Sequence, residues 1–299
     1  MEQKEGNNTM RLSLKNQQVL WGYIFIGPWL IGAALLFLWP MGRTLLLSFQ
    51  KVTDLAFLQT EWVGFTNFSD ILFTDVGFIP ALLTTMKDVV INVPLILVFS
   101  LLMALLLAQV TRGQTFLRAV FFLPVVIGSA GVIQQLLEYG ARDELAAVTL
   151  GPLLQTMGEG GQGTTIVAPI KLVVNRLTVI IWHTGVEILL FIAGLKSIPP
   201  SLYEAAQVDG ATAWESFWKI SLPLLSPVIL VAAIFALVDL FTDPLNNVVL
   251  YIMDVGIRRQ GRLESAAALG VLYFAVVFVV LLLVTRIASK LVFYAGERQ

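Results

Sequence analysis

Residues 201–223 read SLYEAAQVDGATAWESFWKISLP and form a polar interruption in an otherwise very apolar chain. Ser201 and Glu204 have the spacing of a capping box, which predicts that a short helix begins here. Gly210 suits the left-handed conformation that ends a helix and turns the chain. Thr212 is placed to cap a second helix. The stretch therefore predicts two short helices joined by a bend.

Prolines bound this stretch on both sides. Pro199–Pro200 is expected to stop the preceding helix and lead into the first short one. Pro223 is expected to end the second short helix. Between these points Trp214, Phe217 and Trp218 lie at helical spacing, so they should share one face.

The composition excludes several classes of protein. Of 299 residues, 57% are hydrophobic and 13% charged, whereas soluble domains average about 25% charged residues. So much apolar surface indicates a protein whose solvent is the bilayer. A net charge of -1 gives no basic patch for nucleic acid. The absence of cysteine excludes disulfides and thiolate metal sites, and the single His183 excludes a multi-histidine metal site within this chain.

Hydrophobic runs divide the chain into about six transmembrane helices, so we expect an all-α, polytopic integral membrane protein. Residues 1–18 are a polar N-terminal segment, and residues 19–299 form the transmembrane domain. The first apolar run is too long for the core of a signal peptide and is expected to stay uncleaved. Residues 51–81 are expected to be a loop with short surface helices. The six spans are predicted at residues 20–47, 88–110, 119–137, 177–195, 224–240 and 266–284.

The polar stretch matches a spaced motif at every position. Glu-Ala-Ala, three residues, Gly, nine residues, Ile, one residue and Leu-Pro resembles the EAA loop of permease subunits in binding-protein-dependent ABC importers. The matching residues are Glu204, Ala205, Ala206, Gly210, Ile220, Leu222 and Pro223. The resemblance implies a type I importer permease fold in which residues 197–223 form a cytoplasmic coupling loop. The residues it implies for contact with an ATPase are Tyr203, Glu204, Ala205, Ala206, Gln207, Asp209, Gly210 and Ala211.

Further stretches are similar to sugar-type permeases, whose best-known members form the maltose permease pair. Residues 22–29 resemble the start of their first helix, and residues 63–68 resemble the external stretch after it. Residues 193–199 resemble the approach to the EAA loop. The turn at residues 241–247 departs from the family pattern, which leaves the sugar subclass open. The resemblance implies import of a sugar or oligosaccharide; permeases for other solutes also carry EAA-like loops.

The same resemblance implies a set of partners. It implies a second, related permease in a heterodimer, separate ATPase subunits that bind ATP and Mg²⁺, and an extracellular solute-binding protein. Residues 158–165 (GEGGQGTT) lack the lysine of a phosphate-binding loop, so ATP hydrolysis is expected in another chain and this chain is not expected to be an enzyme. Lysines and arginines divide almost evenly between the two sides of the membrane, so the positive-inside rule gives almost no information about orientation. Placing both termini in the cytoplasm at the inner membrane rests on the EAA-like loop.

Polar side chains within the spans are candidates for a solute path, because ionisable groups in a membrane usually face a cavity or a partner. His183 and Glu187 are expected on one face of the fourth helix, beside Trp182, and Asp239 lies in the fifth. These groups would bind sugar hydroxyls; alternatively, His183 and Glu187 pair with each other or with a neighbouring helix, and Trp182 only packs. Weaker candidates are Asn92, Gln134, Gln135, Asn246 and Asn247. A stand-alone secondary transporter and a membrane scaffold remain as alternative functions.

Overall fold

A computed structural model describes residues 14–54, 59–109, 176–177, 179–258 and 261–292, and these are mostly helical. Short π-helical segments adjoin α-helices at Ala34–Leu38, Phe217–Ser221 and Asp254–Arg258. The helices and strands are α1 (Leu14–Ala33), α2 (Trp39–Leu47), β1 (Gln50–Asp54), β2 (Gln59–Trp62), α3 (Thr66–Phe73), α4 (Phe78–Gln109), α5 (Gly185–Ser197), α6 (Pro200–Val208), α7 (Ala213–Ser216), α8 (Leu222–Thr242), α9 (Asn247–Met253) and α10 (Leu263–Ala288).

Four helical stretches of the described chain are long and apolar enough to cross a membrane: Trp21–Leu47, Phe78–Ala108, Ala213–Ile257 and Leu263–Ala288. The pair α5 and α6 passes the same test together, with a bend of 63° between its members, and would give a fifth span. The prediction of a helical, polytopic membrane protein is therefore confirmed. The predicted third span at 119–137 lies outside the described residues.

The polar segment after the first span contains a β-hairpin, so the prediction of a loop with surface helices is wrong for this part. β1 and β2 are antiparallel, with Gln50 opposite Trp62 and an irregularity between Val52 and Asp54. The buried Asn67 fixes the base of the hairpin, because its Nδ2 donates to the carbonyl oxygens of Ser48 and Gln50 at 2.9 and 2.8 Å. These side-chain bonds join α3 to the hairpin and could not be predicted from local pattern.

Helix α4 begins at Phe78, well before the predicted start of the second span at residue 88. The reason is Asp75, whose Oδ1 accepts from the backbone N–H groups of Gly77 and Phe78 at 2.8 and 2.9 Å. A carboxylate that satisfies the free amides of a first turn stabilises the helix start. The Tyr251 hydroxyl also donates to Asp75 at 2.6–2.7 Å, which ties α4 to α9.

Helices α4, α5 and α8 pack around one apolar cluster. Its buried members include Leu107 of α4, Phe191 and Ile192 of α5, and Ala232 of α8. Gly194 lets α5 and α8 approach closely, because a Cβ there would lie 2.8 Å from Leu225 Cδ2. Interhelical contacts built on small residues are typical of membrane proteins, in which close backbone approach gains dispersion energy. Helices α5 and α8 thus form a tightly packed pair.

Candidate coupling element and polar path

Helix α6 begins at Pro200, with Pro199 before it in an extended conformation. Ser201 does not cap this helix, so the capping box predicted for Ser201 and Glu204 is wrong. The physical reason is that Pro200 already occupies the first helical position, where its fixed φ suits a helix and its missing N–H costs nothing. Ser201 therefore lies inside the first turn, two residues too late to act as the cap.

Helix α6 ends at Val208, and Gly210 turns the chain after it as predicted. Gly210 has φ +81°, in the left-handed region. Its N–H donates to Gln207 O at 3.0 Å, and the Ala211 N–H donates to Ala206 O at 2.9 Å. This pair of bonds is the Schellman pattern, which closes a helix and reverses the chain direction.

The second short helix begins with the predicted cap at Thr212. Thr212 Oγ1 accepts from the Glu215 N–H, and Glu215 Oε2 accepts from the Thr212 N–H at 2.9 Å. Pro223 does not end this helix, which contradicts the prediction: α7 continues through a π-helical segment into α8. In that wider turn Leu222 N–H donates to Phe217 O, five residues back, so the chain accommodates the proline near the start of α8.

The surface of α6 separates the predicted coupling residues into two sets. Within α6 only Tyr203 and Ala206 are partly buried, and at i and i+3 they share one face. The other face is exposed and carries Glu204, Ala205 and Gln207, followed by Asp209 and Gly210; Ala211 beyond them is partly buried. An exposed helix that leaves α5 at 63° is available for contact with another protein.

A second polar group lies where α5 begins and α8 ends. His183 Nδ1 lies 2.6 Å from Asp239 Oδ2, and His183 Nε2 lies 3.0 Å from Asp243 Oδ2. The histidine is 9% exposed. Because both ring nitrogens face carboxylate oxygens, a hydrogen on each nitrogen satisfies both contacts. One imidazole thus joins the end of α8 to the start of α5.

His183 and Glu187 do not share a face of one continuous helix, which corrects the prediction. Residues 179–182 are helical, His183 and Thr184 form a break, and α5 begins at Gly185. His183 pairs with the neighbouring helix and not with Glu187, so one of the structural alternatives holds for His183. Trp182 is partly buried just before the break.

Glu187 is the most unusual side chain in this region. It is 0% exposed, and within the described part of the chain neither carboxyl oxygen has a hydrogen-bond partner. It lies in the first turn of α5, where the helix dipole favours an acidic group. Burying a carboxyl group without a hydrogen-bond partner costs free energy. A bound proton or a bound polar molecule would reduce that cost at Glu187.

Further polar contacts, which the sequence did not single out, involve side chains of α4. Arg176 donates to Asp88 Oδ1 at 3.0 Å and to Asn92 Oδ1 at 2.8 Å. Thr85 Oγ1 donates to Asn246 Oδ1 at 3.0 Å. Arg176, Asp88, Thr85 and Asp243 were missed because their partners are distant in sequence. The available signal was the charge of Asp88 and Arg176, each of which lies at the edge of a predicted span.

The remaining candidates have structural roles, are exposed, or lie outside the described residues. Asn246 caps α9, since its Oδ1 accepts from the Val248 N–H at 2.9 Å. Asn247 is exposed, and Gln134 and Gln135 lie outside the described residues. We call the following six the polar path residues: Asn92, Arg176, His183, Glu187, Asp239 and Asp243.

The chain from residue 75 to residue 293 matches a family described as "Binding-protein-dependent transport system inner membrane component". The chain belongs to this family. It is a permease subunit of a binding-protein-dependent ABC importer. The matched residues run from Asp75 through both α6 and the polar path residues, so the whole arrangement above lies within the family region.

Three curated relatives were compared with this permease. It is 29% identical over 294 residues to the "Probable ABC transporter permease protein YesP" of Bacillus subtilis, with 93% of each chain covered. It is 33% identical over 224 residues to the "Multiple sugar-binding transport system permease protein MsmF" of Streptococcus mutans, with 73% of each covered. It is 28% identical over 228 residues to the "sn-glycerol-3-phosphate transport system permease protein UgpA" of Agrobacterium fabrum, with 73% of this chain and 74% of the relative covered.

A solved structure shares the fold of this permease. Its title is "Crystal structure of a bacterial ABC transporter involved in the import of the acidic polysaccharide alginate". The TM-score is 0.65 at 22% identity, with 93% of this chain and 97% of the other covered. The importer permease fold predicted from the EAA-like loop is confirmed.

Proposed function

We propose that this permease forms the translocation path for a sugar or oligosaccharide that an extracellular binding protein delivers. Transport is driven by separate ATPase subunits, which bind ATP and Mg²⁺ and contact residues 197–223. A relative named for multiple sugar-binding transport, together with the resemblance of residues 22–29 and 63–68 to sugar-type permeases, supports this solute class. Membership of a binding-protein-dependent family disfavours a stand-alone secondary transporter.

The observation that carries the proposal is the placement of α6. An exposed helix bounded by Pro199 and by Gly210 at φ +81° has well-defined ends and a free outer face. A rigid element of this kind transmits a movement of its partner to the helices that hold it, which is how one two-state element biases another. The outer-face residues, Glu204 among them, are the proposed contacts with the ATPase.

The solute path is proposed along the polar path residues. Carboxylate and amide oxygens accept hydrogen bonds from sugar hydroxyls, and Trp182 offers an aromatic ring beside them. Glu187 supports this most directly, because its two unpartnered oxygens are acceptors that solute hydroxyls would satisfy when the helices around this buried side chain open. Asp239 and Asn92 already have protein partners and would take part only when those bonds exchange.

The proposed assembly has this permease beside a second, related one as a heterodimer, with both termini in the cytoplasm. With α6 in the cytoplasm, α5 runs from outside inwards and α8 runs outwards. His183, Asp239 and Asp243 then lie toward the extracellular end, where solute would arrive. A different solute class is the second candidate, since another relative is named for sn-glycerol-3-phosphate transport.

Two measurements test the proposal. The first is purification of the tagged permease from native membranes in mild detergent, with mass spectrometry of co-purified chains. A nucleotide-binding subunit and a second permease in stoichiometric amounts are expected; the permease alone would contradict the proposal. The second compares nucleotide hydrolysis by the complex with neutral oligosaccharides and with sn-glycerol-3-phosphate, each supplied with the co-purified binding protein, and only the transported class should stimulate it.

The path residues are tested with a matched pair of variants. Glu187→Ala should reduce uptake of the stimulating solute while the ATPase stays bound, because solute acceptors are lost from the membrane part of the chain. Asn247→Ala, which alters an exposed polar residue near the end of α8, should leave uptake unchanged. Equal uptake by both variants would return Glu187 to a purely structural role.

A further inference from the structure

Tyr203 points away from the exposed face of α6. Its hydroxyl lies 2.8 Å from the Oγ of Ser221, and either oxygen is able to donate. Tyr203 is partly buried and lies on the same face as Ala206, whereas Glu204, Ala205 and Gln207 are exposed. The resemblance grouped Tyr203 with the ATPase contacts, but its hydroxyl is already bonded within the chain.

Ser221 lies directly before the start of α8. It is 5% exposed and ends the π-helical segment that leads directly into α8. Helix α8 carries Asp239, which binds His183 next to the start of α5. A bond to Ser221 is therefore a bond to the helix that reaches the polar path residues.

The backbone changes direction at both ends of α6. At one end Ile198 and Pro199 are both extended, and at the other Gly210 is left-handed. Turns at its two ends would by themselves allow a helix to rock about them. A side-chain bond from its middle to Ser221 removes that freedom and sets the angle between α6 and α8.

We propose that Tyr203 is a positioning residue, whose hydrogen bond to Ser221 fixes α6 against the start of α8 so that movement of α6 is transmitted to that helix. The inference rests on the proposed function, in which α6 contacts the ATPase. Tyr203 then acts in transmission, and the exposed residues of α6 act in docking.

The test uses a reporter at the start of α9, just beyond the far end of α8. The chain contains no cysteine, so Asn247→Cys introduces a single thiol in this permease just beyond Asp243. The complex is purified with its ATPase, and the rate of maleimide labelling of this chain is measured with and without ATP, Mg²⁺ and vanadate. The ratio of the two rates reports the movement that reaches the far end of α8.

Tyr203→Phe removes one oxygen and keeps the ring, and Ser221→Ala removes the partner. An ordinary hydrogen bond corresponds to about a two- to tenfold change in an equilibrium. Each variant should therefore reduce the nucleotide-dependent change in labelling by about that factor. The double variant should show no further loss, because the two residues act through one bond. The KM for ATP and the amount of bound ATPase should stay unchanged.

Tyr23→Phe is the matched control, since Tyr23 is an exposed tyrosine of the first span, and it should behave as the unmodified chain. Loss of ATPase from Tyr203→Phe would show that Tyr203 is a docking residue and overturn the inference. Additive losses in the double variant, or no nucleotide effect at Asn247→Cys in the unmodified Tyr203 background, would overturn it as well. Failure of the proposed function is separate, because it appears as absence of the ATPase from the complex that carries Tyr203.

Discussion

The substitution Gly210→Ala tests whether the bend after α6 is needed for coupling. Gly210 has φ +81°, and a Cβ at this position would have no heavy atom within 4 Å. The substitution therefore creates no steric contact with the rest of the chain. Its whole effect comes from the backbone conformation, which L residues adopt at a cost of about 1–2 kcal/mol.

The net effect is smaller than that cost but remains measurable. Alanine also restricts the unfolded chain, which offsets about 0.4–1 kcal/mol at a compatible site. A remaining cost of about 1 kcal/mol lowers the population of the native bend about fivefold relative to its alternatives. Gly210→Asn should cost less, because asparagine tolerates the left-handed region. Gly210→Pro should abolish coupling, because proline fixes φ near −65° and removes the N–H that bonds to Gln207 O.

The assay compares the affinity-purified complexes for bound ATPase and for ATP hydrolysis stimulated by solute and binding protein. We expect the order Asn, Ala, Pro from the smallest to the largest loss, with normal membrane insertion throughout. Gly64→Ala is the matched control, because Gly64 also has a positive φ of +63° and open space around a Cβ, but lies beside the β-hairpin. An equal loss of coupling in both alanine variants, or normal coupling in Gly210→Pro, would refute the assignment of α6.

Three further predictions concern the stability and orientation of the fold. Burial opposes ionisation of Asp75, but hydrogen bonds from the Tyr251 hydroxyl and two backbone amides outweigh it and lower the pKa below the usual 3.8. The stabilisation over Asp75→Asn should thus be complete above about pH 5 and disappear as the pH falls through the lowered pKa, which melting temperatures in detergent at several pH values would show. Gly194→Ala should destabilise by about 1–3 kcal/mol because its Cβ would overlap side chains of α8. In the same denaturation assay Gly270→Ala, which has open space, should not destabilise. An impermeant maleimide added to intact cells should not label Val208→Cys until the membrane is opened, and labelling from outside would reverse the proposed orientation.

Local features of the coupling element followed from the sequence because they depend on residues close together in the chain. The left-handed Gly210 and the Thr212 cap are both decided within one turn of helix. The cap predicted at Ser201 for α6 was wrong for an equally local reason, since α6 begins one residue earlier, at Pro200. The helix end at Pro223 was wrong because a π-helical turn accommodates the proline.

The polar path residues were only partly predictable. Hydropathy marked His183, Glu187 and Asp239 as polar groups in apolar runs, but it gave no information about their partners. His183 meets Asp239 across 56 residues, and Arg176 meets Asp88 across 88 residues. Such pairs depend on how the helices pack. The break at His183 was also missed, because residues 177–195 show a continuous apolar pattern.

The two ends of the α5–α8 pair offer a physical link between α6 and the polar path residues. At a rise of about 1.5 Å per residue, α5 is about 20 Å long and α8 about 31 Å long. Apolar packing around Phe191, with the close approach at Gly194, holds the two helices together along their length. His183 joins them at one end through Asp239, and Tyr203 joins α6 to α8 at the other end through Ser221. Because densely packed pairs move as units, a shift of α6 should carry His183 and Asp239 together, without any displacement within the apolar middle.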